Sequence, residues 1–396
     1  MTTPSTAVEA AQALAPLIRE HADAIERERC LPEPVLRALT EADLFRLLVP
    51  KAFGGAEADP LTVCRVVEAV SKVDGATGWC VMIGNCNAHF AGLLPAEAAR
   101  EIYTGPEVVV AGAFRPTGVA RVVDGGYSVT GRWPLGSGIV HSTWALGACV
   151  VQDGDQPRLT ASGRPEFRFM FFPKAHTEVV DTWHVAGLRG TGSHDYQVSD
   201  LFVPAHRAFW FSEEPVQPGP LYTLPAIAIF AAYIACVSLG IARHAVDAFK
   251  ELAAVKTPTR STTVLREKPV AQAQIGEAEG LLRAGRAFLF ETIEAAWQAA
   301  LEGRRLTWEQ RGLLWLAATQ AAGQASQAVD LMFRAGGASS IYATSPLERC
   351  LRDIRTAAQH ITVTPTNYEI AGQLFLGADM ENTSWAFDSR NDAPPS

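Results

Sequence analysis

The stretch GLRGTGSHDYQVSDLFVP, residues 187–204, contains a glycine-rich turn followed by a strand-like run. Its glycines Gly187, Gly190 and Gly192 have some likeness to a dinucleotide-binding loop. Such a loop follows a strand and opens a helix, whereas here the β-branched and aromatic residues of the segment 196–203 come next. The stretch therefore predicts a turn that leads into a β-strand, and it is not a dinucleotide fingerprint.

Further strand patterns surround this stretch. Residues 120–130 read ARVVDGGYSVT, two short strand-like runs around Asp124-Gly125, which is a hairpin signal. Similar runs occur at 144–151, 167–172 and 177–183. We therefore expect a β domain over residues 105–215.

Helical patterns flank the β domain on both sides. Apolar residues recur at helical spacing from Val8 to Ile18, and Asp59-Pro60 combines an N-cap residue with proline at the first helical position. After the β domain, four long periodic stretches predict a four-helix bundle: 222–254, 265–302, 307–335 and 345–375. The expected fold is α+β, with an N-terminal helical domain (1–104), a central β-barrel-like domain (105–215) and a C-terminal four-helix bundle (216–396).

Composition argues against several classes of function. The net charge is −8 and no basic stretch could follow a phosphate backbone, so we expect no nucleic-acid partner. We expect neither a signal peptide nor a membrane span, which would need about 20 mainly apolar residues in a row. The seven cysteines are scattered and lack CxxC spacing, which argues against a disulfide framework and a zinc site and favours a cytoplasmic location.

Three local patterns together resemble the acyl-CoA dehydrogenase superfamily. Residues 50–55 (PKAFGG) are similar to the family's "P.e.GG" turn, residues 187–204 resemble its "G.RGTGS…f.VP" segment, and Arg352-Asp353 resembles its "RD" pair. With the order of domains, the resemblance covers about residues 10–380. It implies an acyl-CoA dehydrogenase-like fold, a flavin cofactor and a homotetramer. The apolar run at 226–239 also favours subunit contact through the bundle.

The superfamily includes dehydrogenases, which need a carboxylate base to take a weakly acidic proton. In the family, that base lies eight residues after the aspartate of the "RD" pair or on the first bundle helix. The matching positions here are Ile361 and Phe230, and no acidic residue lies between Asp353 and Glu369. The dehydrogenase interpretation is therefore disfavoured.

The chain is more similar to a second branch, the two-component flavin-dependent monooxygenases. In that branch a separate NAD(P)H-dependent flavin reductase supplies reduced flavin (FADH2 or FMNH2). The reduced flavin reacts with O2 and passes one oxygen atom from a flavin hydroperoxide to a small molecule. Aromatic residues near the expected pocket favour a phenol- or indole-like substrate, although core packing would give the same residues: Trp79, Phe90, Trp133 and Phe230. A thioester dehydrogenase and a non-catalytic flavin-binding protein remain as alternatives.

The resemblance assigns catalytic roles to three residues. His360, one position before the vacated base, resembles the C-terminal active-site histidine of the monooxygenases. His89 lies ten residues after Trp79, similar to a histidine that faces the substrate. Ser137 is in a loop similar to "G.w.f.SG", whose hydroxyl reaches the flavin ring near its central nitrogens. Packing histidines and a turn serine are the structural alternatives.

The resemblance also implies a larger set of flavin-binding residues. They are Trp133, Ser137, Trp183, Thr191, Gly192, Ser193, Arg260, Gly336 and Gly337. Arg260 is similar to an arginine that reaches flavin phosphate across a subunit interface, where a planar, always-charged group suits phosphate oxygens. We expect Arg352 and Asp353 to tie two bundle helices together. His184 and His194 lack the spacing of metal ligands, so we expect no metal.

Overall fold

Thirteen α-helices and eight β-strands make up the part of the chain that the computed structural model describes, residues 4–160, 163–210 and 215–378. The helices are α1 Pro4–Ala13, α2 Ala15–Glu20, α3 Ala22–Glu28, α4 Glu33–Glu41, α5 Pro60–Ser71, α6 Gly75–Ala88, α7 Ala96–Tyr103, α8 Pro220–Thr223, α9 Ala226–Val255, α10 Pro269–Leu301, α11 Trp308–Gly336, α12 Pro346–Ala357 and α13 Thr366–Phe375. The strands are β1 Val110–Val123, β2 Gly126–Gly136, β3 Trp144–Asp153, β4 Gln156–Pro157, β5 Phe167–Pro173, β6 Glu178–Val180, β7 His194–Pro204 and β8 Ala208–Phe209. This order of helices, strands and helices confirms the α+β class.

The eight strands form one mixed sheet in the order β6-β7-β2-β1-β3-β5-β8, with β4 paired to β3. β1 and β2 are antiparallel and join at Asp124-Gly125, where Gly125 has a φ of +75° that suits glycine in a tight turn. The predicted hairpin is therefore confirmed, and β7 follows the glycine-rich turn as expected. The strand predicted at 177–183 is shorter and ends at Val180. The predicted domain boundary at 215 adjoins residues 211–214, which lie outside the described residues.

Helix α6 carries residues of the expected site, and its N-terminus is well capped. Asp74 accepts a hydrogen bond from the Thr77 N–H at 2.7 Å, which satisfies one of the free donors of the first turn. In the same way, α5 begins at Pro60 with Asp59 as its N-cap, as the sequence predicts. The fixed start of α6 sets the direction in which Trp79, near its first turn, projects.

The fourth predicted bundle helix is not continuous. α12 ends at Ala357 and α13 begins at Thr366, with a short 3₁₀ turn at Ile361–Val363 between them. Pro365 explains part of the break, because it has no N–H for a helical bond and disfavours helical backbone in the residue before it. His360 has an extended backbone (φ −67°, ψ 132°) and serves as the N-cap of the 3₁₀ turn. The prediction of one helix over 345–375 was wrong, and the break lies at a predicted active-site residue.

Helix α9 is long and apolar enough to cross a membrane by length and composition, so the expectation that no such stretch exists was wrong. Its most apolar window is 89% buried inside the protein, where α9 packs against α5, α6, α11 and α12. That burial explains the apolar run at 226–239 as part of the chain's own core. The run therefore gives no argument for a subunit interface.

Candidate active site

Three hydroxyl groups form a continuous hydrogen-bonded chain between the glycine-rich turn and the end of β2. Ser137 Oγ lies 2.7 Å from Ser193 Oγ, which in turn lies 2.6 Å from Thr191 Oγ1. The Trp79 indole N–H donates to Ser137 Oγ at 3.0 Å, and Thr191 Oγ1 donates to the Leu188 carbonyl at 2.8 Å. We call this set, from Trp79 to Leu188, the hydroxyl chain. All its side-chain members from Trp79 to Thr191 are at most 7% exposed, so water competes little for these bonds.

His360 joins this group through Trp79. The two rings meet edge to face with centroids 5.8 Å apart, a favourable geometry for aromatic rings. His360 Nδ1 lies 2.9 Å from Thr362 Oγ1 and 3.3 Å from the Thr362 backbone N–H. Because a backbone N–H can only donate, Nδ1 is assigned as the acceptor, and the proton of the neutral ring is then on Nε2. Burial lowers the pKa of His360 to about 4. The side chain is therefore a neutral N–H donor near neutral pH.

His89 lies apart from the hydroxyl chain. α6 rises about 1.5 Å per residue, so His89, its C-cap, is about 15 Å along the helix from Trp79. Its ring is 5.4 Å from that of Tyr222 and 5.6 Å from that of Phe230. Ser137 and His360 both contact Trp79, whereas His89 lies further along α6. The predicted role of His89, to face the substrate, stays a prediction.

Beyond His89 lies a group of packed rings from α9, β1, β5 and the ends of α6 and β8. Phe90 is central to it, with ring centroids 4.9 Å from Phe209, 5.6 Å from Phe114 and 5.8 Å from Phe230. We call these rings, together with Phe169 and Trp210, the aromatic cluster. Phe90 and Phe230 thus lie beside His89 as members of a packed cluster, and their lining of a substrate pocket stays a prediction.

The two positions where dehydrogenases carry their base have other roles here. Ile361 is 77% exposed in the 3₁₀ turn, and Phe230 is 3% exposed within the aromatic cluster. Neither supplies a proton acceptor. A carboxylate base is therefore absent from both positions.

The backbone beside Ser137 is suited to a flat ligand with apolar surface. Leu135 has a φ of +61°, which is uncommon for a bulky residue, and its side chain is 63% exposed. Gly138 and Gly192, with φ values of +78° and +52°, make the turns on either side of the hydroxyl chain. Exposed apolar surface next to buried hydroxyl groups fits a flavin ring, which has apolar faces and a polar edge.

Trp183 is held at this site by contacts that the sequence did not reveal. Its indole N–H donates to the Leu188 carbonyl at 3.2 Å, and its backbone N–H donates to His194 Nδ1 at 3.3 Å. Arg29 donates to the Trp183 carbonyl at 3.2 Å. Burial lowers the pKa of His194, which favours the neutral acceptor. His194 is thus a positioning residue for Trp183, which keeps a half-buried ring near the hydroxyl chain.

Trp133 has a different location from the one predicted. Its side chain is fully buried in the β domain, stacked on Tyr196 at 5.4 Å, and its indole N–H donates to the Ala148 carbonyl at 2.8 Å. The expectation that Trp133 contacts the flavin or lines the pocket is therefore corrected, because its whole surface is used in packing the sheet.

Arg352 and Asp353 connect α12 to other parts of the protein rather than to a second bundle helix. Arg352 donates to Glu26 at 2.6 Å and to the Ala186 carbonyl, while Asp353 accepts from the Leu188 N–H at 2.6 Å. Burial is the main cause that raises the pKa of Asp353 to about 7, and Arg349 opposes this rise. The structural role is as predicted, but the connected elements are α12, α3 and the start of the glycine-rich turn.

The residues proposed for the phosphate side of the flavin lie at the far end of the bundle. Arg260 is exposed, with a φ of +63°, in the turn after α9. Lys256 Nζ donates to the carbonyl of Gly336 at 2.5 Å, and Gly337 has a φ of +58°. Lys256, a residue not predicted for this site from the sequence, thus joins the α9 turn to the glycine pair. Phosphate binding by Arg260, Gly336 and Gly337 stays a prediction.

The part of the chain that the structure describes contains no cluster of potential metal ligands. There, no group of three His, Cys, Asp or Glu residues could hold a metal ion. The polar groups that the structure does bring together at the site are His360 and the hydroxyl chain.

Comparison with known proteins gives the relationship directly. Residues 6–94 match the acyl-CoA dehydrogenase N-terminal domain, and residues 232–365 match the acyl-CoA dehydrogenase C-terminal domain. The indole-3-acetate monooxygenase of Pseudomonas putida is 33% identical over 353 residues, 89% of this chain and 89% of that protein. HsaA of Rhodococcus jostii, the oxygenase subunit of a flavin-dependent monooxygenase, is 31% identical, with 94% of this chain and 98% of that protein covered.

A solved structure agrees with these relatives. XiaF from Streptomyces sp., in complex with FADH2 and glycerol, superposes with a TM-score of 0.88 at 29% identity, covering 95% of this chain and 96% of that one. The fold, the lack of a carboxylate at both base positions and the similarity over nearly the whole length all lead to one assignment. The chain belongs to the acyl-CoA dehydrogenase superfamily, in its branch of flavin-dependent monooxygenase oxygenase components.

Proposed function

We propose that this protein uses reduced FAD or FMN and O2 to hydroxylate a small aromatic or heteroaromatic molecule. The observation that carries the proposal is the group formed by the half-buried His360 with the buried Trp79 and Ser137, next to an Ile361 that replaces the dehydrogenase base. A flavin in this group supplies the redox chemistry and the activation of oxygen. The protein supplies neutral hydrogen-bond partners and excludes water, since an oxygen-transfer site must stay dry.

His360 would act as a donor through its Nε2 proton. Its Nδ1 is engaged by the Thr362 N–H, so the ring cannot turn over without losing that bond. A positioned neutral N–H can hydrogen-bond a developing negative charge or hand over a proton. Because the pKa of His360 is about 4, this donor keeps the same protonation state at pH 6 to 8.

The aromatic substrate class rests on the surroundings of His89. Its ring lies between those of Tyr222 and Phe230, and the aromatic cluster continues behind it. Flat apolar rings pack well against such surfaces, while the imidazole can hydrogen-bond a hydroxyl or ring N–H. The Pseudomonas relative is named for indole-3-acetate, which is consistent with a phenol- or indole-like substrate here.

The proposal includes a separate NAD(P)H-dependent flavin reductase as partner. The relative from Rhodococcus jostii is named as an oxygenase subunit, which supports a division between reductase and oxygenase. No dinucleotide fingerprint is present at the glycine-rich turn, so NADH alone should not support turnover. We further propose a homotetramer, on the family resemblance, and a cytoplasmic location, on the scattered cysteines. Light scattering that shows a monomer at micromolar concentration would contradict the tetramer.

The function is tested with the purified protein, a generic flavin reductase, NADH, FAD or FMN, and a panel of phenols and indoles under ¹⁸O2. The expected result is a product that carries one ¹⁸O atom. Omitting the oxygenase, or supplying NADH and free flavin without the reductase, should abolish the product. Dye reduction with an acyl-CoA thioester, together with no hydroxylated product from any panel member, would refute the proposal in favour of a dehydrogenase.

A further inference from the structure

The hydroxyl chain has a fixed direction, which follows from its two ends. The Trp79 indole can only donate, and the Leu188 carbonyl can only accept. Between them stand three hydroxyl groups, and each has a single hydrogen to give. The Leu188 carbonyl also accepts from the Trp183 indole at 3.2 Å and from the Thr191 backbone N–H at 3.1 Å. Its 2.8 Å contact with Thr191 Oγ1 still needs a hydrogen between the two oxygen atoms, and only Thr191 can supply it.

The hydrogen of each hydroxyl group follows in turn from the Leu188 carbonyl. Thr191 donates its hydrogen to Leu188 O, so Thr191 Oγ1 must accept in its 2.6 Å contact with Ser193. Ser193 has then used its hydrogen, so it accepts in its 2.7 Å contact with Ser137. Ser137 gives its own hydrogen to Ser193 and receives that of Trp79. Every donor points the same way, from Trp79 to Leu188.

This direction determines what Ser137 can present to a ligand. A hydroxyl oxygen accepts up to two hydrogen bonds, and only one is taken, by Trp79. Ser137 therefore has a lone pair to present and no hydrogen. Ser137, Ser193 and Thr191 are 6%, 3% and 1% exposed, so water has little access to replace one of these hydrogen bonds and let the donors change direction.

A flavin ring changes from acceptor to donor at its central nitrogen N5 when it is reduced. Oxidised flavin has a lone pair there, whereas reduced flavin has an N–H. A lone pair on Ser137 Oγ can accept a hydrogen bond from the N5–H of reduced flavin. Facing oxidised flavin, the same lone pair would oppose the lone pair on N5, and no hydrogen bond could form. Leaving a buried polar group without a partner costs about 1–3 kcal/mol, which is about tenfold or more in affinity.

We propose that Thr191 and Ser193 are positioning residues that set the hydrogen of Ser137 and thereby make the site select reduced over oxidised flavin. The inference rests on the proposed function, in which Ser137 faces the flavin near N5. It assigns the redox preference to two side chains that need not touch the reacting atoms. The ratio of dissociation constants for oxidised and reduced flavin measures this preference, and it also measures the shift in midpoint potential on binding.

Two substitutions should free the hydrogen of Ser137, each by removing a different acceptor of the hydroxyl chain. Thr191→Val removes the acceptor of Ser193, so Ser193 can turn and donate to Ser137, whose hydrogen becomes available to the ligand. Ser193→Ala removes the acceptor of Ser137 and has the same result. Either change should tighten oxidised flavin by about tenfold, while the affinity for reduced flavin changes less, because a freed hydroxyl can still accept.

The matched control is Thr191→Ser, which retains the hydroxyl and should keep the wild-type ratio. Thr319→Val, at a buried bundle threonine that accepts a hydrogen bond from Asn367, controls for loss of a buried hydroxyl elsewhere. Dissociation constants are measured for FAD and for FMN, oxidised in air and reduced anaerobically. The full-length protein is used, and far-UV circular dichroism checks its folding.

The outcomes separate the inference from the proposed function. A ratio that falls about tenfold in both Thr191→Val and Ser193→Ala, but not in the two controls, supports the inference. Unchanged ratios in both variants, with tight binding of reduced flavin throughout, overturn the inference and leave the function standing. Failure of the wild-type protein to bind reduced FAD or FMN overturns the proposed function itself. If one variant fails to fold, the other decides, since the two remove different hydroxyl groups of the chain.

Discussion

His360 has two separable tasks, and one substitution can remove one while keeping the other. Nδ1 caps the 3₁₀ turn by accepting from the Thr362 N–H at 3.3 Å, while Nε2 has the proton available for catalysis. Asparagine is a good N-cap residue, because its side-chain oxygen can accept from a backbone N–H in the same way. His360→Asn should therefore retain the turn but withdraw the donor, because the asparagine NH2 group is on a shorter side chain and does not extend to the position of Nε2. His360→Ala should lose both.

The magnitudes follow from these contacts. Loss of the cap in His360→Ala should lower the free energy of unfolding by about 1 kcal/mol, and His360→Asn should lower it by less. Both variants should hydroxylate about 100-fold more slowly, the usual scale for loss of a positioned proton donor, or about 2.7 kcal/mol in activation free energy. Since the pKa of His360 is about 4, the wild-type rate should show no ionisation of His360 between pH 5.5 and 8.

The assay mixes anaerobic protein, reduced flavin and substrate with oxygenated buffer, and it counts product and hydrogen peroxide per flavin oxidised. Less product and more peroxide are expected from both variants, with flavin affinity close to wild type. If His360→Asn hydroxylates at the normal rate and with normal coupling, His360 is only a cap and its assignment as the donor is wrong. A fall in the wild-type rate with a pKa near 6.5 that is lost in both His360 variants would equally contradict a neutral donor at His360.

Three further outcomes are expected. Asp353 has a pKa of about 7 in the folded protein against an ordinary 3.8, so the free energy of unfolding should fall by up to about 4 kcal/mol as the pH rises from about 4 to 7. Denaturant titrations of Asp353→Asn should show a smaller fall over this pH range, and an unchanged fall would contradict the raised pKa. His89→Leu should raise the substrate KM or lower the rate about tenfold or more but leave flavin affinity unchanged, because His89 is about 15 Å along α6 from Trp79; a large loss of flavin binding would place His89 at the cofactor instead. Ile361→Glu should create no dehydrogenase activity in a dye-reduction assay with acyl-CoA thioesters, since residue 361 is 77% exposed, and any thioester-dependent reduction would show that a base can act from this position.

Local chemistry was enough to predict much of the fold. The Asp124-Gly125 turn, the Asp59-Pro60 helix start and three long bundle helices follow from short-range signals, and the structure confirms them. The break in the fourth helix depends on the combination of Pro365 with a capping histidine. Hydrophobic periodicity continues across such a break, so it predicted one helix over 345–375.

The site was harder to predict, because its contacts join residues that are distant in sequence. Hydroxyl residues at 137, 191 and 193 were expected near a flavin, and the structure shows that they bond to one another. Trp79 as donor to Ser137 and His194 as acceptor for Trp183 depend on tertiary packing. Trp133 was predicted to contact a ligand because it is next to the Ser137 loop in the sequence. In the structure its ring instead faces the core of the sheet.

The burial of α9 has a consequence for the order in which the protein folds. α5 and α6 precede α9 in the chain, whereas α11 and α12 follow it, and all four pack against α9. During synthesis one side of this apolar helix can be covered at once, while the other stays exposed until about a hundred further residues have emerged. The C-terminal helices expressed alone would in turn leave the α5-facing side of α9 bare and prone to aggregate. Nascent-chain solubility should therefore be lowest for chains that end between α9 and α11.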